Sequence, residues 1–150
     1  MLALLLAFAL TAAPKLPALP VDGPTAFLWP ARGTITTPFV LGGHPGIDIG
    51  ILRSLRVTAA AEGRVLRVGE PRGFEGYGRI VLVDVGGGYS TLYAHLSRAW
   101  VRPGEIVEVG QGLGVAGCTG YCTGTHLHFE VRLHGQAVNP MRIPFRAAPQ

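Results

Sequence analysis

The sequence predicts an all-β domain, an antiparallel sandwich or small barrel, and three observations carry that expectation. Its 150 residues include 22 glycines and 12 prolines, both poor residues for helix interiors. Apolar and polar residues alternate over short runs, the period of a half-buried strand. Turn signals separate the runs, most plainly Gly86-Gly87-Gly88, at the spacing of strands joined by hairpins.

The elements follow in order. Residues 1–13, MLALLLAFALTAA, are apolar and uncharged. They fall short of the roughly 20 residues needed to span a bilayer and have the length of the apolar part of a secretory signal. The expectation is export to the periplasm, the cell envelope or beyond, with no membrane span after the signal is removed. Residues 14–26 hold Pro14, Pro17, Pro20 and Pro24. Proline fixes φ and removes a backbone donor, so this stretch reads as an extended linker. One domain then covers 27–146, with a short tail at 147–150. Candidate strands run over residues 47–50, 56–60, 63–68, 79–85, 89–96, 105–109 and 126–133.

Thirteen basic residues against nine acidic ones leave a net charge of +4. The arginines are scattered, and no basic run marks a nucleic-acid surface. A GxSxG elbow and an HExxH helix are both missing from the sequence, so serine-hydrolase and ordinary zincin chemistry are excluded.

Four of the five histidines fall in three short constellations. In His126-Leu127-His128-Phe129-Glu130-Val131-Arg132-Leu133 the alternation is unbroken. Residues i and i+2 of a strand share a face, so His126 and His128 project together while Leu127, Phe129 and Val131 face the core. Glu130 lies further along the same face, where a structural salt bridge or a bond supporting a neighbouring histidine suits it better than proton transfer. In His44-Pro45-Gly46-Ile47-Asp48 the Pro-Gly pair rules against a helix. Asp48 sits between two core-facing isoleucines, where a buried carboxylate needs a partner such as a cation. In Thr91-Leu92-Tyr93-Ala94-His95-Leu96, simple alternation places His95 on the face of Tyr93, opposite Leu92, Ala94 and Leu96. His134, beside Gly135, reads as a surface turn residue. Two histidines and an aspartate are a donor set that suits one Zn²⁺ ion with a position left open.

The motifs HPGID (44–48), TLYAHLS (91–97) and TGTHLHFEVR (123–132) resemble the lysostaphin/LytM-type zinc endopeptidases of peptidoglycan. The likeness extends through GTITTPF (33–39), VTAAAEGRV (57–65) and GEIVEVGQG (104–112). It implies an antiparallel β-sandwich with the active site in a groove over the sheet. It also implies that His44, Asp48 and His128 bind zinc, and that His95 and His126 are catalytic. The implied activity is hydrolysis of peptide bonds in peptidoglycan, in a cross-bridge or a stem peptide, by a metal-activated water.

Some relatives in that family lose these residues and act as binding or activating modules. The alternative is therefore a non-catalytic peptidoglycan-binding or amidase-activating module, although this chain keeps all five residues. Cys118 and Cys122 depart from the usual pattern. In an exported protein they are expected to form a disulfide. A catalytic thiol at either position defines a rival, a cysteine peptidase of the cell wall, but no helix-like pattern follows either cysteine to activate it.

Overall fold

The computed structural model describes residues 23, 24 and 26–146. The signal segment at 1–13, most of the linker and the tail at 147–150 lie outside the described residues. Twelve strands and one 3₁₀ turn make up the domain. The strands are β1 (Phe27–Leu28), β2 (Thr34–Thr37), β3 (Ile47–Gly50), β4 (Arg56–Thr58), β5 (Gly63–Gly69) and β6 (Arg79–Gly86). They continue as β7 (Tyr89–Ala99), β8 (Ile106–Val107), β9 (Gly112–Ala116), β10 (Leu127–Leu133), β11 (Gln136–Val138) and β12 (Phe145–Arg146). The 3₁₀ turn is Pro140–Arg142. Among the described residues no helix is long and apolar enough to cross a membrane.

Ten strands form one antiparallel sheet whose main path is β2-β3-β10-β7-β6-β5-β8, and β1 pairs with β12 in parallel. The outer strands β2 and β8 each pair with a single neighbour, so the sheet stays open and the small-barrel alternative is set aside. Strand β7 is the organising element. Its first part, Tyr89 to Ala94, pairs with β10, and its last part, Leu96 to Ala99, pairs with β9. Strand β9 in turn carries β4.

The two faces of the sheet differ. Ile47, Ile49, Val81, Val83, Tyr93, Leu127, Phe129 and Val131 project into one main core, closed by Phe27, Val57, Ala59, Ala60, Leu113 and neighbours. Each such large apolar side chain removed from water contributes roughly 1.5–3 kcal/mol. The opposite face carries a smaller cluster of Ile80, Leu82, Leu92 and Ala94, capped by Phe74 and Tyr77. The polar side chains of interest share this second face. β2, β9, β11 and the terminal pair β1/β12 were not expected from the sequence; all are short, and threonine and glycine blur the pattern of β2 and β9.

Candidate metal centre and cleft

Asp48 on β3 and His128 on β10 are directly opposed across an antiparallel ladder. Because Ile47 and Ile49 are held in the core, the strand's pleat sends the Asp48 carboxylate to the other face. The same alternation through Leu127 and Phe129 sends His128 there too. His44 arrives from the loop between β2 and β3. That loop lies close against β10 because Gly46 has no side chain; a Cβ there would collide with the Phe129 carbonyl and the Glu130 side chain.

Three ligand atoms converge as a result. His44 Nε2 lies 3.2 Å from Asp48 Oδ1 and 3.1 Å from His128 Nδ1, and His128 Nδ1 lies 2.8 Å from Asp48 Oδ1. This group could hold a metal ion. The outer nitrogens fix the proton positions. His44 Nδ1–H donates to the Pro38 carbonyl at 2.9 Å, and His128 Nε2–H donates to Glu130 Oε1 at 3.0 Å. A carbonyl and a carboxylate only accept, so in the neutral rings His44 Nε2 and His128 Nδ1 are both bare. Two lone pairs and a carboxylate oxygen then point at one another, an arrangement that requires a positive charge between them. Two nitrogens and one oxygen match the donors zinc takes.

Without an ion, a proton on His128 Nδ1 supplies that positive charge, and the titrations reflect it. Burial pushes Asp48 up, but bonds from His128 and Thr37 and the nearby imidazoles outweigh it and bring the carboxyl down to about 2. Burial opposes charge on His128, yet its bonds to Asp48 and Glu130 hold it above the usual histidine value.

His95 and His126 stand beside this group. The ring centroids of His95 and His126 are 4.7 Å apart, and His126 Nε2 is 3.6 Å from Asp48 Oδ1. Each has its Nδ1 engaged outside the cleft. His95 Nδ1–H donates to the Thr119 carbonyl at 2.7 Å, and His126 Nδ1–H donates to the Gly124 carbonyl at 2.8 Å. Both Nε2 atoms are therefore left to the cleft. Burial is the main cause that holds His95 below its ordinary pKa, which keeps it neutral and able to accept a proton.

The face expected for His95 is corrected by the structure. Tyr93 is fully buried in the main core, where its hydroxyl accepts from the Ala60 N–H at 2.8 Å. His95 lies on the opposite face with Ala94 and His128. The cause is a bulge: the β6–β7 register shifts between the Val81–Tyr93 and Arg79–Leu96 pairs, and His95 has φ of +59°. One extra residue in a strand re-aims the side chains beyond it. Its left-handed backbone is stabilised by the His95 N–H donating to the Tyr77 carbonyl at 2.9 Å.

Three further residues support the site: Arg132 ends the TGTHLHFEVR motif, whereas Tyr77 and Thr119 are not marked by any motif. Tyr77 donates its hydroxyl to Glu130 Oε1 at 2.6 Å and sets its ring edge-on to His128. Burial, and then Glu130, push the Tyr77 phenol up to about 12, so it remains a donor. Arg132 donates to Glu130 Oε2 at 2.6 Å. Glu130 is fully buried; burial raises its pKa, but His128, Arg132 and Tyr77 together bring it below the ordinary value. Thr119, the third, carries the carbonyl that orients His95. Tyr77 sits in a glycine-rich loop and Thr119 in the cysteine loop, and neither loop has a period that could point to a site.

The cleft is about 510 Å³, walled by His44, Glu75, Tyr77, Tyr121, His126 and their neighbours. Cys118 and Cys122 form a disulfide with Cα atoms 5.3 Å apart, and no cysteine among the described residues is free. His134 is exposed in the turn before β11, where its N–H donates to the Gly88 carbonyl at 2.8 Å.

An open antiparallel sheet with a His-Asp-His group over one face defines a class of β folds with a candidate metal site. Residues 42–140 match peptidase family M23, and the chain belongs to that family, in its lysostaphin/LytM-type branch. It is 39% identical over 100 residues to an uncharacterized metalloprotease of Haemophilus influenzae, covering 67% of this chain and 21% of that protein. It is 36% identical over 116 residues to the murein hydrolase activator NlpD of Escherichia coli, covering 76% of this chain and 30% of that one. Among solved structures, a zinc-containing peptidase from Vibrio cholerae superposes with a TM-score of 0.70 at 30% identity, over 81% of this chain and 41% of that one. The catalytic domain of lysostaphin from Staphylococcus simulans gives 0.60 at 28% identity, over 79% and 90%. The chain spans between 21% and 49% of the length of the curated relatives it matches.

Proposed function

We propose that this chain is a zinc-dependent metalloendopeptidase that hydrolyses peptide bonds in bacterial peptidoglycan, in a cross-bridge or a stem peptide, after export to the cell envelope. The observation that carries the proposal is the convergence of His44 Nε2, Asp48 Oδ1 and His128 Nδ1 as three acceptors, with the Nε2 atoms of His95 and His126 turned to the same cleft. The three would hold the ion. Bound zinc would supply Lewis acidity and make water a competent nucleophile near neutral pH.

The chain's own residues do the rest. His126 Nε2 or His95 Nε2, each bare in its neutral ring, accepts a proton from the attacking water. Once charged, the same nitrogen donates to the oxyanion or to the leaving amine as the C–N bond breaks. Glu130, held by Tyr77 and Arg132, fixes the tautomer of His128, as partners behind a metal-bound imidazole commonly do. Curated relatives are described as lipoproteins and as murein hydrolase activators, which supports an envelope location and peptidoglycan as the setting.

Digestion of purified sacculi by the zinc-loaded protein, with mass analysis of the fragments, tests the reading. New amine and carboxyl termini are expected, and their complete absence would overturn it. The likeness to NlpD favours one second reading, a non-catalytic module that activates a separate murein hydrolase. Under that reading the sacculi are cut only when such a hydrolase is added.

A further inference from the structure

Both cleft histidines outside the acceptor cluster are oriented by backbone carbonyls of one short segment. Thr119 O takes the proton of His95 Nδ1, and Gly124 O takes that of His126 Nδ1. The Cys118–Cys122 disulfide closes a loop that contains Thr119 and ends two residues before Gly124, and Cys122 Sγ lies 3.7 Å from His126 Nδ1.

The segment is anchored at three further points. Thr119 Oγ1 accepts from the Arg79 N–H at 3.0 Å and donates to the Leu96 carbonyl at 2.9 Å. The Tyr121 N–H donates to the Gly76 carbonyl at 2.8 Å. A Cβ on Gly78 or Gly120 would strike the backbone of the opposing loop, so the two loops touch main chain to main chain. This fastening does little for the main core, since Tyr121 is 88% exposed and no cysteine or threonine of the segment belongs to it.

We infer that the segment 118–124, through Thr119 and the Cys118–Cys122 bridge that pins its first five residues, is a positioning device for His95 and His126. It selects the Nδ1–H tautomer of both rings at once and so presents both Nε2 atoms to the cleft. Without it, a neutral imidazole is free to carry its proton on either nitrogen and to rotate. The inference rests on the proposed peptidase reading for its catalytic consequence, but not for its structural one.

The test uses the full chain loaded with zinc and labelled with ¹⁵N at histidine. In the wild type, the nitrogen shifts of His95 and His126 should each report a single Nδ1–H tautomer. In Cys118→Ala/Cys122→Ala both rings should report a mixture, while zinc content stays stoichiometric. Turnover on sacculi should fall by about tenfold or more with KM little changed, since misplacement of reacting groups by about 1 Å can cost about a hundredfold. Thr119→Val, which removes both hydroxyl bonds and keeps the disulfide, should shift His95 in the same way, and Thr119→Ser should restore it. Single Nδ1–H tautomers in both the double variant and Thr119→Val overturn the inference, as does loss of zinc in step with the tautomer change. Should wild type leave sacculi uncut, the peptidase reading fails while the tautomer measurement still decides this one.

Discussion

Asp48 and His128 are paired twice over: their backbones are opposed residues of the β3–β10 ladder, and their side chains meet at 2.8 Å above it. The main-chain pairing fixes the side-chain pairing, because two opposed residues of an antiparallel ladder project from the same face with Cβ atoms about 5 Å apart. Two of the three acceptors therefore inherit the rigidity of the sheet, and His44 joins them from the β2–β3 loop.

His44→Ala, Asp48→Ala and His128→Ala each leave two of the three acceptors, so zinc content and activity should be lost together. His95→Ala and His126→Ala leave all three, and zinc should remain near stoichiometric while the rate falls at least about a hundredfold, the usual scale for a proton-transfer or oxyanion group. Metal analysis and turnover on the same five proteins decide this. Zinc lost from His126→Ala but kept by His128→Ala would reverse the two assignments.

Chelation should separate fold from chemistry. The strands that carry the cluster are joined by backbone bonds and a buried core, so the far-ultraviolet circular dichroism of the metal-free protein should match that of the loaded one. Activity should vanish on chelation and return with added zinc, and the loaded protein should melt higher, as a ligand bound only to the folded state requires.

Glu130→Gln should weaken zinc by about 10- to 100-fold, the usual effect of removing the partner behind a metal-bound histidine. Its pH dependence has a definite sign. The folded pKa of Glu130 lies below its unfolded value, so the folded state binds fewer protons and the group's stabilisation is present above pH about 4.5, then fades as pH falls through the folded value. Melting temperature of the metal-free protein, followed from pH 7 to pH 3, should drop less steeply in Glu130→Gln than in wild type. Equal slopes would remove Glu130 from the acid response.

Tyr93→Phe tests the other face of the same strand. It would leave the buried Ala60 N–H without its acceptor, at a cost of about 1–3 kcal/mol. For a domain of this size each kcal/mol corresponds to roughly 4 °C in melting temperature. Calorimetry should show that fall with zinc content unchanged.

The strands on which alternation is unbroken are the ones the sequence makes legible. Leu127, Phe129 and Val131 must all face one core, and that requirement alone sets His128 and Glu130 on the other side. Ile47 and Ile49 do the same for Asp48. His95 escapes this logic because Ala94 and His95 occupy one bulge, and a bulge has no period. Tyr77 lies on the β5–β6 loop and Thr119 on the β9–β10 loop, and the two loops meet only in the folded sheet, so nothing near them in sequence announces the contact. Gly46 is readable as a turn residue, but its need for close approach to the Phe129 carbonyl emerges only once β10 lies beside it.

The Asp48–His128 ladder has an evolutionary consequence. Its strength resides in peptide groups and in Ile47, Ile49, Leu127 and Phe129, none of which points into the cleft. A lineage could therefore exchange the acceptor side chains for inert ones and keep an intact domain, with the vacated cleft walls free to acquire a different partner. Selection can erase the acceptor side chains here without first dismantling the architecture, and site and scaffold can diverge at different speeds.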